Sequence, residues 1–180
     1  MILSHSQRVN LNQPLERALI DIRSKMDQAR TLYHQLVLIV ASVGGGKTVL
    51  LRDLAEQGAF PLLNINLELS KFLLDIPVKK RGIEAARILQ QIIDAQNAPL
   101  VLLDNLEILF DPSLNLNPLT CLKQLSRHRV IVASWTGQVS DGYLLYAEPG
   151  HPEFRREPAE GLLIVSPASQ TPSQPLHAVQ

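Results

Sequence analysis

The 180-residue chain predicts an α/β fold, a three-layer αβα sandwich around a mostly parallel five-stranded sheet. Three observations predict it. Residues 36–41 (LVLIVA) are apolar without a break, as in a central parallel strand with both faces buried. Strand-like segments alternate with amphipathic helical ones, the order of βαβ units with right-handed crossovers. A Gly-Gly-Gly tract follows the first strand and precedes a helix. Composition agrees: with 46% apolar and 19% charged residues, the chain is too apolar to be disordered throughout. A domain near this length buries roughly 70% of its unfolded surface, enough for a core.

The elements follow in order. Residues 13–34 predict a helix, with Asn12 as its cap and Pro14 in its first turn. Leu15, Leu19, Ile22, Met26, Ala29 and Tyr33 form its apolar stripe. The strand at 36–41 leads to a helix at 47–57, which Gly58 can end. A second strand is expected at 61–66 and a short helix from Ser70. Helix 82–96 is the clearest, because Ala85, Ile88, Leu89, Ile92 and Ile93 repeat at helical spacing. A third strand is expected at 99–103, a helix at 118–127 opening on Asn117-Pro118, a fourth strand at 129–134 and a fifth at 161–165. The stretch between the last two reads as irregular, with one strand at 143–147. Residues 1–165 read as a single domain. Residues 166–180 hold no Asp, Glu, Lys or Arg and are rich in Pro, Ser and Gln, the composition of a flexible tail.

Other features narrow the function classes. Seventeen basic side chains balance seventeen acidic ones, which argues against a DNA coat or a polybasic membrane binder. The single cysteine, Cys121, excludes an intrachain disulfide and a multi-Cys zinc site. The histidines are scattered, and G-x-S-x-G is absent. No apolar run approaches the ~20 residues of a membrane span, and the first residues (MILSHSQRVN) do not read as a signal peptide. The expected location is cytoplasmic.

Residues 41–48 are Ala-Ser-Val-Gly-Gly-Gly-Lys-Thr. They match the phosphate-loop pattern G-x-x-x-x-G-K-[ST] except that Ala41 stands at the first glycine. Glycines let a backbone wrap a phosphate with its N–H groups turned inward, and the following helix adds N–H groups and partial positive charge. Ser42, Val43, Gly44, Gly45, Gly46, Lys47, Thr48 and Val49 are therefore the candidate nucleotide-binding residues. Lys47 would reach the β and γ phosphates, and the Thr48 hydroxyl would ligate Mg²⁺. The bland alternative is a Gly-rich turn beside a surface lysine.

Residues 100–104 (LVLLD) end a buried strand in Asp104, which reads as a carboxylate holding Mg²⁺ through its hydration shell. The alternative is an acid that caps a turn. With the loop, this element makes the predicted fold that of a P-loop NTPase. Asn105 follows, where many ATPases of the AAA and related classes carry a glutamate base, and asparagine cannot accept a proton. Glu107 and Glu68 are the remaining candidates, the latter by resemblance to RecA-like ATPases, whose base stands at the end of the second strand. Ser134 ends the fourth strand, where AAA-type ATPases place a polar residue against the γ phosphate or the water. Lys79-Lys80-Arg81 and Arg155-Arg156 are local basic runs that otherwise read as solvated charge. Asn-Lys-x-Asp is absent, so ATP is expected rather than GTP. No helical lid is expected after residue 165, so a ring-forming AAA motor is not the default reading.

With the phosphate loop, Asp104-Asn105 and the stretch Ala147-Glu148-Pro149-Gly150-His151-Pro152-Glu153-Phe154-Arg155 in view, the chain resembles BrxF, the small P-loop family of type III BREX bacteriophage-defence islands, and more broadly a lidless AAA/RecA-like ATPase. The resemblance covers about residues 10–160. It implies a cytoplasmic bacterial component that binds ATP and Mg²⁺. Its implied partners are a PglZ-type phosphatase-like protein, a BrxC-type ATPase, a helicase and a DNA methyltransferase. Lys47, Thr48 and Asp104 carry over as functional positions. Two other classes stay open: a small-molecule or nucleoside kinase, whose only candidate lid is Lys79–Arg81, and a nucleotide-responsive module that never hydrolyses. Direct DNA contact would fall to Lys79–Arg81, and self-association is left open.

Overall fold

The computed structural model describes residues 5–167, with side chains from Gln13 onward. Five helices are α1 (His5–Ala29), α2 (Lys47–Gly58), α3 (Ile65–Leu73), α4 (Val78–Asp94) and α5 (Pro118–Leu125). Eight strands are β1 (Leu36–Ala41), β2 (Leu62–Asn64), β3 (Leu100–Asp104), β4 (Val130–Thr136), β5 (Gln138–Ser140), β6 (Tyr143–Tyr146), β7 (Arg155–Pro158) and β8 (Leu163–Val165). Five form one sheet in the order β2-β3-β4-β1-β8, with every neighbouring pair parallel. Among the described residues, no helix is long and apolar enough to cross a membrane.

Alternation along β1 explains why its apolar run is unbroken. Leu36, Leu38 and Val40 enter one core with Ile65 and Leu69 of α3, Ile88 and Leu89 of α4, and Leu122 of α5. Val37 and Ile39 enter the opposite core with Ile22 and Met26 of α1 and Leu50, Leu51 and Leu54 of α2. Each such fully buried aliphatic side chain stabilises the fold by about 1.5–3 kcal/mol relative to exposure.

Several boundaries differ from expectation, each for a local reason. The first helix extends upstream through Pro14 and ends at Ala29, so Asn12 lies inside it. Turn bonds from Thr31 N–H to Gln28 O and Leu32 N–H to Ala29 O replace its last turn. Tyr33, expected in the apolar stripe, is 67% exposed, and the Arg127 guanidinium lies over its ring. Gly58 belongs to α2, and Ala59 takes the left-handed position that ends it. The glycine is needed for a close approach, since a Cβ there would meet the Phe60 ring at 2.1 Å. β2 stops at Asn64, whose Oδ1 accepts from Leu67 N–H at 3.0 Å and opens α3 five residues before Ser70. Lys79, Lys80 and Arg81 lie in the first turns of α4, not ahead of it. The tail expected over 166–180 falls, from residue 168, outside the described residues.

The segment after β4 is not irregular. It folds as a second, antiparallel sheet in the order β5-β6-β7. Asp141 and Gly142 join β5 to β6 with φ of 51° and 78°, and this positive pair matches the twist of a tight hairpin. Gly137 permits the corner between the two sheets, because a Cβ there would lie 1.9 Å from Leu145 O. Trp135 Nε1 donates to the same carbonyl at 3.0 Å. Phe110 stacks on Tyr146 with ring centroids 3.4 Å apart, and Trp135 meets Phe110 edge-on at 5.0 Å.

Candidate functional site

The parallel sheet brings the carboxyl ends of β1, β4 and β3 side by side. In open α/β sheets this end is where ligands bind. β1 runs into the loop of residues 42–46, and Gly46 caps α2 with φ 85°. Gly44 has φ 75°, a left-handed backbone that residues with a Cβ adopt only at a cost. Gly45 is required by space: a Cβ would stand 2.6 Å from Ala41 Cβ and 3.0 Å from Ser42 O. The Gly45 N–H donates to Ser42 O at 3.1 Å. All three glycines are thus fixed by geometry. Ala41, the departure from the glycine pattern, is buried as the last residue of β1. Ser42, Val43, Gly44 and Val49 are exposed on the loop and the start of α2, open to a ligand.

Lys47 is 8% exposed. Its Nζ donates to Ala41 O and Ser42 O, both at 2.8 Å. Burial lowers its pKa, while the negative charges of Glu107 and Asp104 oppose that shift. The ammonium is therefore held over the loop in surroundings that disfavour its charge, which an arriving anion would offset. Thr48 Oγ1 donates to Asp104 Oδ2 at 2.7 Å. A hydroxyl and a carboxylate at this separation are hard oxygen donors of the kind Mg²⁺ takes, with water and phosphate completing its shell. Among the described residues there is no cluster of three His, Cys, Asp or Glu side chains that could hold a metal, so a cation here would rest on this pair and a ligand's own oxygens.

The two candidate bases are separated by the fold. Glu107 opens a 3₁₀ turn, Glu107–Phe110, just beyond Asp104. It is near enough to oppose the lowered pKa of Lys47, and its Oε1 accepts from Thr136 Oγ1 at 3.3 Å. Glu68 lies within the first turn of α3 and is paired with Lys71 at 2.9 Å. Glu107 thus acts on the charge of Lys47, and Glu68 is held by Lys71.

Ser134 does not end its strand. β4 continues because pairing with β1 persists through Val40↔Trp135 and Ala41↔Thr136. Ser134 is 4% exposed and stands opposite Ile39. Thr136 is the polar residue at the strand's end, level with Ala41 and bonded to Glu107. The continuation Trp135-Thr136, an aromatic and a β-branched residue, was the available signal for it.

Asn105 has φ 53°, and its carbonyl accepts from Asn66 N–H at 2.9 Å. Asparagine tolerates this left-handed backbone better than glutamate does, so a conformational demand accounts for the residue. The basic runs are elsewhere. Arg81 lines a cleft with Ser113 and Leu114, and the Arg156 guanidinium lies 3.5 Å from the centre of the Tyr143 ring. Arg155 Nη1 donates to Phe154 O.

No protein-family model matches the chain, and no curated protein matches it. Among solved structures it is similar to PCH-2 of C. elegans, with 18% identity and a TM-score of 0.40 over 72% of this chain and 39% of that one. The chain therefore spans well under half of that protein's length, and a likeness this slight adds nothing to the reading of the site.

Proposed function

We propose that the chain binds Mg-ATP at the loop of residues 41–48 and acts as a nucleotide-dependent component of a bacterial phage-defence complex of the BREX type. The observation that carries the nucleotide reading is the junction of Thr48 Oγ1 and Asp104 Oδ2 at 2.7 Å beside a three-glycine loop closed by Lys47. A surface turn needs none of these three together. Lys47 and the N–H groups of residues 44–48 would neutralise the phosphates. Thr48 and Asp104 would hold Mg²⁺, which when bound supplies charge neutralisation at the transferring phosphate. Glu107, oriented by Thr136, would accept the proton of the attacking water. With Asn105 unable to serve as a base, turnover by the isolated chain is slow and rises with partners.

Those partners would be the phosphatase-like, BrxC-type, helicase and methyltransferase proteins that the BrxF resemblance implies. That part rests on the resemblance alone. Steady-state phosphate release tests the enzymatic part. Glu107→Gln should cut turnover 10²-fold or more with Mg-ATP binding retained, while Glu68→Gln should leave both near wild type. Loss of turnover in Glu68→Gln alone would transfer the role. Recovery of a phosphorylated acceptor in place of free phosphate would make the protein a kinase.

A further inference from the structure

A cleft on the far side of the Glu107–Phe110 turn is not used by this reading. It lies between α3, α4 and the 3₁₀ turn Pro112–Leu114, and its volume is about 140 Å³. An apolar cavity near 150 Å³ accepts benzene, so this one takes a single leucine- or phenylalanine-sized group. Leu73, Leu74, Ile108 and Leu114 give apolar walls, and Arg81 and Asp111 give charge. Arg81 Nε donates to Ile76 O at 2.9 Å, which orients the guanidinium. Asp111 Oδ1 accepts from Ser113 N–H at 2.8 Å. Among the described residues, no ion pair joins Arg81 to Asp111. Apolar surface continues outward, with Leu74 78% and Val78 58% exposed. Lys79 and Lys80 follow on the same helix end and are in no ion pair among the described residues. Lys71 and Arg87 are, by contrast, matched by Glu68 and Glu84.

We propose that this cleft docks a peptide segment of a partner protein. An apolar side chain sits between Leu73, Leu74, Ile108 and Leu114. The segment's main-chain carbonyl accepts from Arg81, and its N–H donates to Asp111. Acidic residues flanking the anchor meet Lys79 and Lys80. A peptide supplies all of these at once: an apolar anchor, an acceptor and a donor. An anchor in a pocket is also where interface energy usually concentrates. A nucleic acid fits less well. Its binders neutralise several phosphates each, whereas this corner offers only Lys79, Lys80 and Arg81, in no ion pair among the described residues, beside Asp75 and Asp111.

The test is selection of a random 16-residue phage-displayed peptide library on the full chain, then fluorescence polarisation with the labelled consensus peptide. The expected consensus is one large apolar residue flanked by Asp or Glu. Its affinity should fall at least tenfold in Leu74→Ser and in Lys79→Glu/Lys80→Glu. Both changes are on exposed side chains and neither should lower the melting temperature, since acids in the first turns of α4 favour the helix. Selection without such a consensus, or affinity unchanged in both variants, overturns the proposal. Duplex DNA bound more tightly than the peptide, and lost on charge reversal, would assign the corner to nucleic acid. Peptide affinity should be the same in Lys47→Ala, so failure of the nucleotide reading and failure of this one are separable.

Discussion

Substituting Gly45 with alanine tests the loop geometry without removing any functional group. The new Cβ would lie 2.6 Å from Ala41 Cβ and 3.0 Å from Ser42 O, both inside normal contact, so the loop must open. Overpacking of this kind costs about 1–3 kcal/mol. Opening also breaks the Gly45 N–H to Ser42 O bond, worth about 1 kcal/mol more. For a chain of this size, about 3 kcal/mol lowers the melting temperature by roughly 6–12 °C. The matched controls are Gly44→Ala and Gly161→Ala. Both sites have φ near +75° with nothing within 4 Å of an added Cβ, so each should lose only the left-handed penalty of about 1–2 kcal/mol. Calorimetry with and without Mg-ATP reads both properties. Gly45→Ala should melt lowest and lose the Mg-ATP shift, while Gly161→Ala should keep the full shift. If Gly45→Ala melts and binds like Gly161→Ala, the loop does not have the tight form inferred from it.

Other predictions are more local. Tyr146 has its pKa pushed up to about 12, first by burial and then by Glu153 and Glu107. The folded state therefore holds a proton that the unfolded chain loses above pH 10. Stability should be constant below pH 10 on this account and fall by about 2–3 kcal/mol between pH 10 and 12. Urea titrations should show that component missing from Tyr146→Phe. Asn105→Gly should match or exceed wild-type stability, whereas Asn105→Glu should lose about 1 kcal/mol because φ there is 53°; equal denaturation midpoints would remove the conformational account of Asn105. Phe110→Ala takes away a fully buried ring stacked on Tyr146 and should cost about 3–5 kcal/mol, visible as a sharply lower midpoint.

The parallel sheet was legible because burial on both faces leaves a plain trace, as in LVLIVA and LVLLD. The nearness of the loop glycines, Lys47, Thr48 and Asp104 was legible because the motif sets them at strand ends of one sheet and at one helix start. Of the second sheet only the strand at 143–147 was read, as β6, and its partners were missed although Asp141-Gly142 is a strong local hairpin signal. Its strands are only three and four residues long, too short for alternation to register. Position within a strand was harder still. Taking Ser134 as the end of β4 missed Thr136, since the limit of pairing is set by the neighbouring β1 and not by β4's own residues. Glu68, expected just past the second strand, falls inside α3 because Asn64 caps that helix after only three strand residues. Gly58 and Asn105 carry a similar lesson: one answers to the nearby Phe60 ring and the other to its own φ, and neither cause is local in sequence pattern alone.

The most direct test of the central claim is thermal unfolding of wild type and Lys47→Ala with and without Mg-ATP. Ligand at 100 times its Kd stabilises by about 2.7 kcal/mol, a rise of roughly 5–10 °C for a chain this long. Wild type should show that rise and Lys47→Ala should show none. Each protein is compared with its own ligand-free melting temperature, since Lys47→Ala also removes the bonds to Ala41 O and Ser42 O. No rise in wild type, or the same rise in both proteins, would contradict nucleotide binding at this loop.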